Sequence, residues 1–75
     1  MLNQLQTIFR NIFDDQSLII TNETTAKEIK MWDSLTHLQL INEIESHFKI
    51  KISFNEVMMI NSVGDIISII EKKMN

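Results

Sequence analysis

Lys30 to Phe48 reads KMWDSLTHLQLINEIESHF, and the grouping of its apolar residues decides the fold. At about 100° per residue, Leu40, Ile41, Ile44 and Phe48 share one arc of a helix, wide enough to face a core. Asp33 and Ser34 are both residue types that cap helix N-termini, so a second helix is predicted to begin at one of them and run to about Lys49. Leu35 and Leu38 fall on another side of that helix, near Ser34 and Asn42. Helical geometry cannot bring them into the core stripe, so they are expected to be partly exposed unless the preceding loop packs over them.

Outward from this segment the pattern stays helical. Leu2, Leu5, Ile8, Phe9, Ile12 and Phe13 recur at spacings of three and four, which predicts an amphipathic first helix ending near Asp14-Asp15-Gln16. Between Gln16 and Trp32 the periodicity fails over roughly 17 residues, a long connection by the usual standard for small domains. Downstream, Ser53 and Glu56 form an S-x-x-E capping box, with Ile52 and Val57 placed for a hydrophobic staple; a short third helix is predicted from Phe54 to about Met59. Asn61 and Ser62 supply stop and start signals for a fourth helix with Val63, Ile66, Ile67, Ile70 and Met74 on one face and lysines in its final turn. Lone Gly64 carries little signal. The expectation is an all-α fold, a small antiparallel four-helix bundle formed by residues 1–75 as one domain, with a long loop between helices one and two and a short third helix.

Composition narrows the function. Ten acidic against seven basic residues leave no clustered positive charge for nucleic-acid phosphates. No apolar run approaches the 18 residues or so of a membrane span, and the N-terminal apolar pattern is interrupted by polar residues, unlike a signal peptide. The chain therefore reads as a soluble, cytoplasmic protein without membrane insertion, and it is expected to be a monomer. It has no cysteine, hence no thiol of its own and no thiolate metal ligand.

Ser34 admits three roles: helix cap, nucleophile, or attachment point. As a nucleophile it has His37 three residues on, within helical reach as a base, but the sequence WDSLTH lacks the glycine of a nucleophile elbow and nothing signals an oxyanion hole. Glu43 and His47 share a helix face at i, i+4, yet no third ligand converges on them, so no metal site is expected. His37 is expected at the core edge, hydrogen-bonded to the loop, and His47 on a solvated face. A phosphate ester on Ser34 would lie at the positive end of the helix dipole. On physical grounds alone an Asp-Ser cap is the commoner explanation.

The whole pattern, though, resembles the acyl carrier protein family, four-helix carriers with Asp-Ser-Leu opening the second helix, here Asp33, Ser34 and Leu35. The likeness covers nearly the entire chain: helix one, long loop, DSL, the downstream LQLINEIESHFKIKIS, a short third helix and an apolar last helix. It implies that a separate phosphopantetheinyl transferase attaches 4'-phosphopantetheine to the Ser34 hydroxyl, that the protein catalyses nothing itself, and that acyl-loading and acyl-accepting enzymes are its partners. In such carriers helix two is the main docking surface. By position this implies recognition by the apolar pair Leu35 and Leu38 and the acids Asp33, Glu43 and Glu45, whose charges act mainly on encounter rate and selectivity.

Two departures stand out. Positions often acidic in fatty-acid carriers hold Gln39, Asn42 and Ser46, while His47 and Lys49 add basic character. Trp32 stands where many carriers have a glycine shortly before the aspartate, and it resembles specialised stand-alone carriers in this; its large ring is expected to anchor the loop over the helices, with its N–H requiring a partner. The contrasting possibility is an unmodified helical adaptor of the same fold that uses Leu35 and Leu38 only to bind protein.

Overall fold

The computed structural model describes residues 1–74. Helix α1, Leu2–Ile12, buries Leu5, Ile8 and Phe9 along one face. It stops at Asp14, whose φ of 50° is left-handed, and the Asp15 N–H donates back to the Arg10 carbonyl at 3.0 Å. That six-to-one bond satisfies a carbonyl the helix end leaves free. Helix α2, Ser34–Phe48, packs against α1 and contributes Leu40, Ile41 and Ile44 to the core. Phe48, placed in the core stripe from the sequence, is only partly buried and packs at its edge. Lys49 closes α2 in left-handed geometry, and the Glu45 carboxylate reaches past it to accept the Ile52 N–H at 2.8 Å.

Helix α3, Phe54–Met59, starts on the expected reciprocal box: Ser53 Oγ accepts the Glu56 N–H and Glu56 Oε1 accepts the Ser53 N–H. Ile52 and Val57 are both buried. Helix α4, Val63–Met74, buries Val63, Ile66 and Ile70. Ile67 is half-buried and Met74 exposed, although both were placed on the core face. Met74 shares the azimuth of Val63 and Ile70, but at the last position of α4 its side chain is left 59% exposed. A 2.9 Å ion pair between Lys73 and Glu56 links α4 to α3.

The segment Gln16–Trp32 is far from structureless. A 3-10 turn spans Ala26–Glu28, with the Glu28 carboxylate accepting from both Thr25 N–H and Thr25 Oγ1. Ile20, Ile29 and Trp32 are buried in the core, and Gln6 and Arg10 of α1 bond the backbone of Ile20 and Leu18. Gly64 also proves informative. Its N–H meets the Asn22 carbonyl at 2.9 Å, and a Cβ there would lie 2.8 Å from that oxygen. Only glycine lets the start of α4 approach the loop this closely.

Candidate functional site

The first turn of α2 is organised by Asp33 and Thr36. Asp33 is the N-cap: its Oδ1 accepts the Thr36 N–H at 3.0 Å, and Thr36 Oγ1 accepts the Asp33 N–H at 2.8 Å while donating to the Met31 carbonyl at 2.7 Å. The Thr36 N–H holds the Asp33 carboxyl below the usual carboxylate range. Ser34 is the first helical residue and is exposed. The cap role is thereby assigned to Asp33, and the serine hydroxyl takes no part in it.

Nor does His37 serve Ser34 as a base. Its Nδ1 accepts the Trp32 indole N–H at 2.8 Å and its Nε2 lies 2.9 Å from the Val57 carbonyl oxygen. Both ring nitrogens are committed away from the serine. Trp32, 8% exposed, packs edge-on against Phe9 with ring centroids 5.4 Å apart and lies 6.1 Å from Phe13. The tryptophan does anchor the loop as expected, and its N–H partner is the histidine.

Beside Ser34 opens a groove of about 500 Å³ between α2 and α3, lined by Trp32, Asp33, His37 and Leu38 on one side and by Phe54 and Met58 on the other. The part α3 plays in the site is not among the expectations from the sequence. The signal was nonetheless available: Phe54 and Met58 are spaced i, i+4 on a helix whose core face is supplied by Val57. Leu35 and Leu38 stand out from α2 at 66% and 55% exposure, joined on α3 by exposed Phe54, Met58 and Met59. The loop does not cover the leucines. A cluster of exposed large apolar side chains around one hydroxyl is the mark of a contact surface.

The acids do not gather there. Asp33 borders the groove; Glu43 is exposed further along α2; Glu45 is half-buried, with Oε2 on the Ile52 N–H. His47 is exposed, its ring 4.8 Å from that of Phe48. Among the described residues no three His, Cys, Asp or Glu side chains are grouped as metal ligands, and no helix is long and apolar enough to cross a membrane.

The donor set around Ser34 suits a phosphopantetheine arm. An exposed hydroxyl at a helix N-terminus can take a phosphodiester, whose charge the helix end favours, and the adjoining apolar groove has room for the chain that follows. A family model described as the phosphopantetheine attachment site matches residues 3–70. An acyl carrier protein homolog from Mycoplasmopsis pulmonis (strain UAB CTIP) is 43% identical over 54 residues, covering 72% of this chain and 73% of that protein. The solution structure of holo acyl carrier protein from Geobacter metallireducens shares the fold with a TM-score of 0.89 at 44% identity, over 97% of this chain and 84% of that one. Such matches define a carrier of covalently attached phosphopantetheine, a class that transports rather than transforms its cargo. The chain belongs to the acyl carrier protein family.

Proposed function

We propose that Ser34 is the attachment residue and that the modified protein carries an acyl or aminoacyl group, as a thioester, between cytoplasmic biosynthetic enzymes. The observation that supports this most directly is the division of labour at the start of α2: Asp33 and Thr36 do all the capping, and the exposed Ser34 hydroxyl is left with no structural task. A phosphopantetheinyl transferase forms the bond from Ser34 Oγ to phosphorus and breaks the pyrophosphate bond of coenzyme A, so that adenosine 3',5'-bisphosphate leaves and the hydroxyl proton passes to a base of the transferase. The arm, once attached, supplies the terminal thiol that the cysteine-free chain lacks.

The protein's own residues position that exchange. The Asp33–Thr36 box fixes Ser34 at the helix entrance, while Leu35 and Leu38 offer the apolar contacts of a docking face. Asp33 adds a negative charge beside Ser34 and Glu43 another further along α2, affecting chiefly encounter rate. Glu45 contributes least to recognition, because one of its oxygens already holds Ile52. With neutral Gln39, Asn42 and Ser46 on the same helix, the partners are enzymes of a specialised pathway rather than strongly basic housekeeping ones. Tethering raises the effective concentration of cargo at each docked partner.

Intact mass after incubation with coenzyme A, Mg²⁺ and a broad-specificity phosphopantetheinyl transferase tests the assignment. A gain of about 340 Da, the size of the arm as a covalent modification, is expected on the wild type and not on Ser34→Ala. An unchanged wild-type mass would favour the unmodified adaptor instead.

A further inference from the structure

Trp32 is the only tryptophan in the chain, and an indole N–H can donate but never accept. The nitrogen it meets, His37 Nδ1, must therefore present a lone pair. The ring proton then sits on Nε2 and is donated to the Val57 carbonyl, 2.9 Å away. The bonding pattern thus specifies a neutral imidazole in one tautomer. That single ring bridges three segments: the loop entering α2, α2 itself and α3. Its plane lies 25° from that of the indole, with centroids 6.0 Å apart. Trp32, His37 and Val57 all line the groove beside Ser34.

We propose that His37 is a positioning residue for the carrier site: when neutral it fastens the Trp32 loop and α3 together beside Ser34, and when protonated it releases Trp32 and loosens that side of the groove. The functional meaning of this device rests on the assignment of Ser34; its physical operation does not. One proton from solvent adds to the Nδ1 lone pair. Indole and imidazolium then face each other N–H to N–H, so the Trp32 bond is lost while Nε2–H keeps, and as a charged donor strengthens, its bond to Val57. A buried indole without an acceptor is costly, and the loop must adjust.

The charged neighbours do not mask this titration. Asp33, the other titratable side chain on the groove lining, accepts the Thr36 N–H and stays ionised. On α3, Glu56 precedes Val57 and is held by the Ser53 N–H and by Lys73 of α4, which keep it charged as well. Lys27 and Glu28 follow Ala26 in the 3-10 turn, with Glu28 bonded to Thr25; Lys30 lies in the loop two residues before Trp32; Asp65 of α4 accepts the Asn61 N–H. From α1, Phe9 and Phe13 meet Trp32 without charge. The second histidine, His47, is exposed beside Phe48 and serves as the control.

The test uses the full unmodified chain, with ¹⁵N in the indole and ¹³C in the methionine methyls, followed by NMR from pH 8 to 5. The Trp32 indole signal and the Met31 methyl are expected to shift along one single-proton curve with the midpoint of the His37 ring, while the Met1 and Met74 methyls do not follow it. His37→Gln offers an acceptor and a donor at once and does not titrate. It should hold the indole signal near its pH 8 position throughout, whereas His47→Gln should leave the wild-type curve intact. Using one transferase for both proteins cancels its own pH dependence, so the ratio of wild-type to His37→Gln modification rates isolates the device; it should fall about threefold toward pH 5, the size of a lost hydrogen bond. An indole signal that ignores the His37 titration, a His37→Gln variant that titrates like the wild type, or a flat rate ratio would overturn the proposal. If neither protein is modified at all, the Ser34 assignment fails, and the NMR curves alone decide the latch.

Discussion

Leu38 and Leu40 are two residues apart on α2 and differ in almost everything that packing decides: Leu38 is 55% exposed and Leu40 is 0% exposed. Replacing Leu38 with Asp forfeits less than half of a leucine's burial, about 1 kcal/mol, and adds about 0.5 kcal/mol for the poorer helix former. Leu40→Ala empties a fully enclosed site and costs about 2–5 kcal/mol through lost transfer energy and the cavity left behind. A domain of 75 residues has about 4–11 kcal/mol in total, so the first variant stays folded and the second approaches the limit. Urea unfolding followed by the fluorescence of buried Trp32 separates them. With a slope of about 1 kcal/mol per molar, the midpoint drops by roughly 1.5 M for Leu38→Asp and by about 2–5 M for Leu40→Ala. The functional consequence runs the other way. Leu38→Asp, well folded, should be modified about tenfold more slowly by the transferase because it places a charge in an apolar contact. Equal losses of stability for the two variants would refute the facing of α2, and an unimpaired rate for Leu38→Asp would refute the docking face.

Other substitutions test the loop and the caps. Gly64→Ala should lower stability by about 1 kcal/mol in thermal or urea unfolding, because the overpacking against the Asn22 carbonyl outweighs the gain in helix propensity. Lys49→Gly should raise it by about 0.5–1 kcal/mol, since Lys49 holds a left-handed φ of 56° that glycine adopts freely. Glu56 titrates at about 2 rather than at the ordinary 4.5, first because the Ser53 N–H, and then Lys73, favour its charged form. Its folded pKa is depressed, so its contribution is complete above about pH 4.5 and disappears as the pH falls toward 2. Acid titration of stability should therefore show the wild type losing its advantage over Glu56→Gln across that window, and a constant difference would contradict the assignment.

Much of this was legible from local patterns. The box at Ser53–Glu56 and the core stripe of α2 follow from spacing alone, because capping and helical periodicity depend on neighbours within a turn or so. Thr25-x-x-Glu28 is a box of the same kind, yet it lies among polar residues where no apolar period marks a helix, and only a three-residue turn forms there. Gly64 could not be interpreted from sequence, because the oxygen that forbids a Cβ belongs to Asn22, far away along the chain. Glu45 shows the same limit in another form. On the helix it is a surface acid, but the backward turn after Lys49 brings Ile52 to its carboxylate.

By itself, then, the sequence determined the four helices, the placement of Leu35 and Leu38 off the core stripe of α2, and the presence of a hydroxyl at the entrance of that helix. Those depend on rigid local geometry. Tertiary structure decided that Phe54 and Met58 form the far wall of the groove and that His37 is held between Trp32 and Val57. These last choices join groups as much as twenty residues apart in the chain, and a hydrogen bond or a groove wall exists only once packing has brought both of its sides together.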